Sequence, residues 1–191
     1  MPRLRPLRPA VWLALVALLG GGLAISQDPA RWPAPPEGWW RRLEGGERAV
    51  YALTQGQRTG RRVMVVERIE GSRVTVSFEQ AHGDAGEAPP ARQSATIDLA
   101  DPTEAGDLTL PEGARLTRVG REELKVGARA FACDVYEVAL EGPRGAVAMK
   151  AWHAPSLPPV FMGGVVKLTS RLAGHEASIT LTEYEGGLLG E

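Results

Sequence analysis

The segment Arg61–Gln80, RRVMVVERIEGSRVTVSFEQ, decides the fold class. In its second half Val74, Val76 and Phe78 alternate with Thr75, Ser77 and Glu79, the period of two that a half-buried strand requires. Its first half carries the β-branched or apolar run Val63, Met64, Val65, Val66 and then Ile69. Between them Gly71-Ser72 closes a tight turn, so the two halves form a β-hairpin. Working outward, the same rhythm predicts strands over Arg48–Thr54, Ala95–Leu99, Leu116–Lys125, Arg129–Glu141, Ala146–Trp152, Val165–Leu172 and Glu176–Tyr184. Turns fall at Gly127, at Gly142-Pro143-Arg144-Gly145 and at Gly174, and longer polar loops span His82–Ala91 and Asp101–Gly113.

Within Arg129–Glu141, Phe131, Cys133 and Val135 share one parity while Tyr136, Val138 and Leu140 share the other. Either both faces of this strand are covered, or a bulge near Tyr136 switches the apolar side. Strands joined by short connections, without the spacing of a crossover helix, pair antiparallel. The fold class is therefore all-β: a single antiparallel curved sheet or partly open β-barrel of 8–9 strands. At most one short N-terminal helix fits, over Glu37–Leu43. Gly 23 and Pro 15 in 191 residues agree with a turn-rich chain.

The N-terminus reads as an export signal. Arg3, Arg5 and Arg8 supply a positive region, Ala10–Ile25 is apolar, and Ala24-x-Ser26 places small residues where a signal peptidase cuts. The apolar stretch is shorter than the roughly 18–20 residues of a spanning helix and is interrupted by Gly20, Gly21 and Gly22. No Cys follows it, so no lipid anchor is expected at this site. The expected organisation is residues 1–26 as signal peptide, 27–45 as a Pro-rich linker with a short helical segment, and 46–191 as the β domain. The location is exported, periplasmic or secreted, with no transmembrane span after cleavage.

Cleavage removes three arginines and no acid, leaving 19 basic against 23 acidic residues, a formal charge of −4. That mild negative charge predicts no nucleic-acid partner. The single Cys excludes an intramolecular disulfide and a thiolate zinc cluster. Only Lys125, Lys150 and Lys167 among the 22 basic residues are lysine.

Val126-Gly127 through Phe131-x-Cys133, Trp152-x-Ala154-Pro155, Pro158 and Gly163-Gly164-Val165-Val166-Lys167 resemble the C-terminal half of a group of secreted bacterial proteins. Gly46–Tyr51 resembles the group's first strand. The resemblance covers about half of the mature chain and implies a shape similar to the LolA/LolB lipoprotein carriers, a curved sheet around an apolar concavity. It implies a compartment and a shape, and no chemistry.

Nothing in the residues assembles a catalytic or metal site. His82, His153 and His175 are too scattered for a metal pair, so no metal ligand and no cofactor is predicted. Neither Ser94 nor Ser156 lies in a nucleophile elbow, and Gly163-Gly164 precedes a strand where a phosphate loop needs a helix. Glu122-Glu123 and the Glu183/Glu185 pair read as solubilising strand acids, and no catalytic residue is assigned. Cys133, between apolar neighbours and without a cation beside it, reads as a buried inert thiol. Trp39-Trp40 reads as a cap over an open end of the sheet.

The ligand-binding residues expected are Trp152, Pro155, Phe161, Met162, Gly163 and Gly164. Pro155, Pro158 and Pro159 stiffen the loop Pro155–Gly164, and the two glycines supply a hinge, so the loop is expected to act as a lid. Apolar side chains in a loop are costly unless they cover a ligand or the core. The function expected is an exported non-enzymatic β domain that binds an apolar small molecule or lipid, or a cell-envelope protein. Two alternatives stand: a small secreted hydrolase or metal-dependent enzyme with a dispersed site, and a structural envelope module without ligand. N-terminal sequencing of the exported protein should return Gln27 as the first residue; recovery of residues 1–26 on it would refute cleavage.

Overall fold

The Gly71-Ser72 turn does join two long strands, and every strand expected from the sequence is present in the computed structural model. The structure describes residues 37–82, 91–99, 114–142, 145–172 and 175–189. The signal segment, the linker up to residue 36, the loops around 83–90 and 100–113, and the turn residues 143–144 and 173–174 lie outside the described residues. The strands are β1 (Arg48–Gln55), β2 (Arg58–Glu70), β3 (Arg73–His82), β4 (Ala91–Asp98), β5 (Arg115–Val126), β6 (Arg129–Gly142), β7 (Gly145–His153), β8 (Val165–Leu172) and β9 (His175–Glu185). They form one antiparallel sheet in the order β4-β3-β2-β1-β9-β8-β7-β6-β5. β4 and β5 do not pair with each other, so the sheet is not closed. Among the described residues the helical structure is limited to 3-10 turns at Trp39–Arg42 and Met162–Gly164.

The first and last strands in sequence lie side by side at the centre, which leaves the two hairpin arms as wings. The wing β9-β8-β7-β6-β5 curls enough to bring β5 next to β9, four positions away in the order. Phe131 of β6 consequently meets Tyr184 of β9 edge to face at 6.1 Å, and Tyr184 meets Phe161 at 5.6 Å. Such pairs favour crossed rings because the electropositive edge of one faces the electronegative face of the other.

The parity change expected in β6 is real. Phe131, Cys133 and Val135 are buried on one face, and Tyr136 and Val138 are buried on the other. The pairing with β5 shifts at this point: Arg118 lies opposite Tyr136 and Gly120 opposite Val135, with Val119 as the extra residue. Val119 is 47% exposed, as an unpaired bulge residue at a sheet rim would be.

The loop between β7 and β8 folds inward. Leu157, Phe161 and Met162 are among the largest fully buried side chains. Tyr51, itself inaccessible, directs its hydroxyl at the carbonyl oxygens of Phe161 and Val165, at 3.2 and 3.3 Å. Met162, Gly163 and Gly164 all take positive φ (53°, 65° and 76°). At Gly164 an added Cβ would lie 3.1 Å from His153 Nε2 and 3.2 Å from the carbonyl oxygens of Ala154 and Leu157. Glycine is required there both for φ and for space. Left-handed φ is unfavourable for Met162, and its complete burial is what holds it there.

With Phe161 and Met162 inside the core, truncation should act on stability. Phe161→Ala should lower the free energy of unfolding in urea by about 3–5 kcal/mol, and Met162→Ala by about 2–5 kcal/mol. A loop that only gated a ligand would give losses near zero.

Candidate functional site

A cleft of about 790 Å³ opens where four distant segments converge. The Glu37–Arg42 segment contributes Trp39 and Arg42, and the β5–β6 hairpin contributes Arg121, Glu122, Ala132, Cys133 and Asp134. Pro155 and Ser156 come from the β7–β8 loop, and Leu189 from the segment after β9. The Leu189 amide donates to the Ser156 carbonyl at 2.8 Å, which ties the last two segments together.

Trp39 is buried in the 3-10 turn with its ring against Trp40 at 6.4 Å and 82°. It belongs to the core cluster, so the Trp39-Trp40 pair does cover apolar structure, and one side of Trp39 borders the cleft. Cys133 is a free, buried thiol. Its Sγ lies 3.4 Å from the Phe131 carbonyl, and burial, with Asp134 and Glu122 adding to it, pushes the thiol pKa up to about 12. A thiol protonated that strongly is no nucleophile at neutral pH.

Two carboxylates of the charged rim, Asp134 and Glu122, are engaged. Asp134 accepts from Arg118 and, at 2.9 Å, from Arg121 Nε. Glu122 accepts the indole N–H of Trp152 at 2.7 Å, and that bond, more than Lys150 at 3.5 Å, holds its carboxyl below the usual range. Lys150 and Lys167 flank the Trp152 ring, each ammonium 4.8 Å from its centroid. Two of the three lysines in the chain therefore sit on one indole.

Of the six residues expected to bind ligand, Pro155 alone lines the cleft. Trp152 is buried beneath its lysines on the same sheet face as Glu122. Phe161, Met162 and Gly164 are buried in the core, and Gly163 is half-buried beside them. The sequence reading passed over Trp39 as a cleft residue, along with Ala132 and Leu189. Cleft residues drawn from segments up to 150 positions apart leave no local pattern to read.

His153 is buried at the end of β7, 6.4 Å edge to face from Tyr136. Burial lowers its pKa against the opposing pull of Asp134, so it is neutral at pH 7. The side chains of His82 and His175 lie outside the described residues. Among the described residues no group of three or more His, Cys, Asp or Glu is placed to hold a metal ion.

A second polar cluster closes the base of β1. Glu47 is 4% exposed; its Oε1 accepts the Glu44 amide at 2.9 Å, and its Oε2 lies 3.1 Å from the Tyr184 hydroxyl. That hydroxyl also lies 2.7 Å from the Gly187 carbonyl. Tyr184 has one proton for two oxygens. The hydroxyl is shared between the Glu47 carboxyl and the Gly187 carbonyl, both of which accept from it. Burial raises the Glu47 pKa, against the lowering effect of its hydrogen bonds. Arg129 completes the clamp: its guanidinium lies 5.2 Å over the Tyr184 ring and donates to the Gly186 carbonyl at 2.6 Å. A Cβ at Gly186 would fall 2.8 Å from Glu47 and from the Tyr184 hydroxyl, so no larger residue fits.

No family model matches the chain, and no curated protein matches it significantly. Similar solved structures include a Bacteroides fragilis protein named as exported with a YmcC-like fold. It is 12% identical, with 75% of this chain and 97% of that one covered and a TM-score of 0.43. A Parabacteroides distasonis protein named as a lipoprotein is 10% identical, covering 75% and 96%, with a TM-score of 0.44. The S-type phycobiliprotein lyase CPES of Guillardia theta is 10% identical, covering 80% and 94%, with a TM-score of 0.31. Likeness at these levels assigns neither a family nor a function.

The Glu47 cluster has a pH signature. A carboxyl whose pKa is raised on folding stabilises most below its unfolded value, near 4.5, and loses that contribution as pH rises through the folded value. Glu47→Gln, which removes the charge, should melt above the native chain at pH 8 and converge with it toward pH 4.5. An equal difference at both pH values would show that folding leaves the Glu47 carboxyl unshifted.

Proposed function

We propose that the chain is an exported, non-enzymatic β domain that binds an apolar small molecule or lipid segment in the cleft between Trp39 and Pro155. Export is supported by the arginine-led apolar segment and the Ala24-x-Ser26 site. Among the described residues no helix is long and apolar enough to cross a membrane.

The observation that carries the reading is the composition of the cleft. Trp39, Ala132, Cys133, Pro155 and Leu189 give it an apolar floor, and three of the charged residues around them, Arg121, Glu122 and Asp134, are held in ion pairs. At about 790 Å³ it falls within the range of roughly 300–1,000 Å³ typical of small-molecule sites. A carboxylate pair free for acid–base work would favour a hydrolase, but Glu122 and Asp134 are both engaged. The core side of the sheet is occupied by Tyr51, Leu157, Phe161 and Met162, which also suits a structural envelope module without a ligand.

Titration with N-phenyl-1-naphthylamine separates the readings. The native chain should bind it saturably in the micromolar range, and Ala132→Trp, which fills the cleft, should abolish the signal without lowering the melting temperature. Probe binding that Ala132→Trp leaves intact would place the ligand elsewhere. Absence of probe binding, together with no co-purified lipid in a native mass spectrum, would leave the structural module.

A further inference from the structure

We propose that two copies of this chain associate edge to edge through β4, antiparallel, about a two-fold axis at Ala95. The two edges of the sheet are not alike. β5 carries Arg115, Arg118, Arg121, Glu122, Glu123 and Lys125 and is broken by the Val119 bulge, devices that deter strand addition. β4 reads ARQSATID, with Arg92 and Asp98 as its only charges, and pairs with β3 from Gln80↔Ala91 to Arg73↔Asp98 without a register shift. Weakly charged and regular, it carries none of those devices among the described residues.

The direction of its backbone groups follows from the turn beside it. The Leu99 amide donates to the Ser72 carbonyl, so Leu99 faces the β2–β3 side. Backbone direction alternates along an antiparallel strand, so Ile97, Ala95 and Gln93 also face β3. Arg92, Ser94, Thr96 and Asp98 therefore present their N–H and C=O groups outward, to a partner. If Ala95 sits on the two-fold axis, Ser94 lies opposite the Thr96 of the second copy and Arg92 opposite its Asp98.

That register is self-complementary. It sets a cation against an anion twice and a hydroxyl against a hydroxyl twice, and both kinds of cross-strand pair stabilise sheets. Arg92 keeps its bond to Glu67, and Asp98 keeps the one it accepts from Ser72, on the exposed face where the new pairs form. On the other face Ala95 meets Ala95 and Gln93 meets Ile97, so no bulk obstructs the axis and the half-buried Ile97 gains cover. A second copy is thus the occupant whose charges and shape fit this edge.

Site-specific cross-linking tests the register in the full chain. Two Ala95 residues on the axis form a non-hydrogen-bonded pair with Cα atoms about 4.5 Å apart, within reach of a disulfide. Ala95→Cys, oxidised with copper–phenanthroline, should run as a covalent dimer on a non-reducing gel. Gln93→Cys should not, because its two copies lie roughly 13 Å apart. The native chain, whose one thiol is buried, should stay monomeric on the same gel. Adding Ser94→Pro to Ala95→Cys removes an outward N–H that β3 does not use and should cut the cross-link at least tenfold at an unchanged melting temperature. Failure of Ala95→Cys to cross-link overturns the proposal. So does equal cross-linking by Gln93→Cys, or a cross-link that survives Ser94→Pro; if that double variant melts low, Thr96→Pro replaces it.

Discussion

The Tyr51 hydroxyl is the constraint on which much of this structure depends. Tyr51 lies on β1 at the centre of the sheet and has no access to water. A hydroxyl buried without a partner carries a free-energy penalty of a few kcal/mol, so the fold has to bring acceptors to it. It finds them in the Phe161 and Val165 carbonyls at the end of the β7–β8 loop. That bond fixes the height at which the loop crosses the sheet. Phe161 then reaches Tyr184, Tyr184 reaches Phe131, and the wing holding β6 curls over to complete the aromatic stack. The stack and the curl therefore share one anchor.

The bulge at Val119 is the counterpart of that curl. A strand that stacks on Tyr184 with Phe131 cannot present the same face to the core along its whole length once the sheet coils away. β6 meets this by burying Phe131, Cys133 and Val135 on one side and Tyr136 and Val138 on the other. β5, which must follow it at the edge, takes up the mismatch with one extra residue. Gly120 next to the bulge resumes the pairing opposite Val135.

How much of this was legible in the sequence depended on whether the cause was local. Alternation in Arg73–Gln80 and the Gly71-Ser72 turn are local, and the hairpin emerged as read. The double parity of β6 was visible as well, because both apolar sets stand in one segment. Strand limits were less legible. β2 begins at Arg58 where Arg61 was expected, since the Gly56-Gln57 turn lets the polar residues Arg58 and Thr59 pair with Gln55 and Thr54. β4 begins at Ala91 where Ala95 was expected, because pairing with β3 recruits the polar Arg92, Gln93 and Ser94 that carry no apolar alternation. The Pro155–Gly164 loop was legible as apolar and stiff, but burying Phe161 depends on Tyr51, 110 residues away. The cleft was the least legible part, since Trp39, Ala132, Pro155 and Leu189 become neighbours only after the sheet has curled.

The placement of the cleft follows from what cannot move. Lifting the β7–β8 loop would break both contacts of the Tyr51 hydroxyl and expose Leu157, Phe161 and Met162. Each of these carries a cost of kcal/mol size, and together they would consume much of the stability of an ordinary domain. A cavity beneath this loop would therefore be closed to ligands on energetic grounds. The cleft lies outside that anchored region, where the side chains that would have to yield are exposed arginines of the 3-10 turn and of β5. Arg42 and Arg121 can reorient through their long side chains without disturbing the sheet, and Arg118 keeps Asp134 neutralised when Arg121 swings away. A ligand in the proposed cleft would thus meet a rim of long side chains that can rearrange in front of a sheet that cannot.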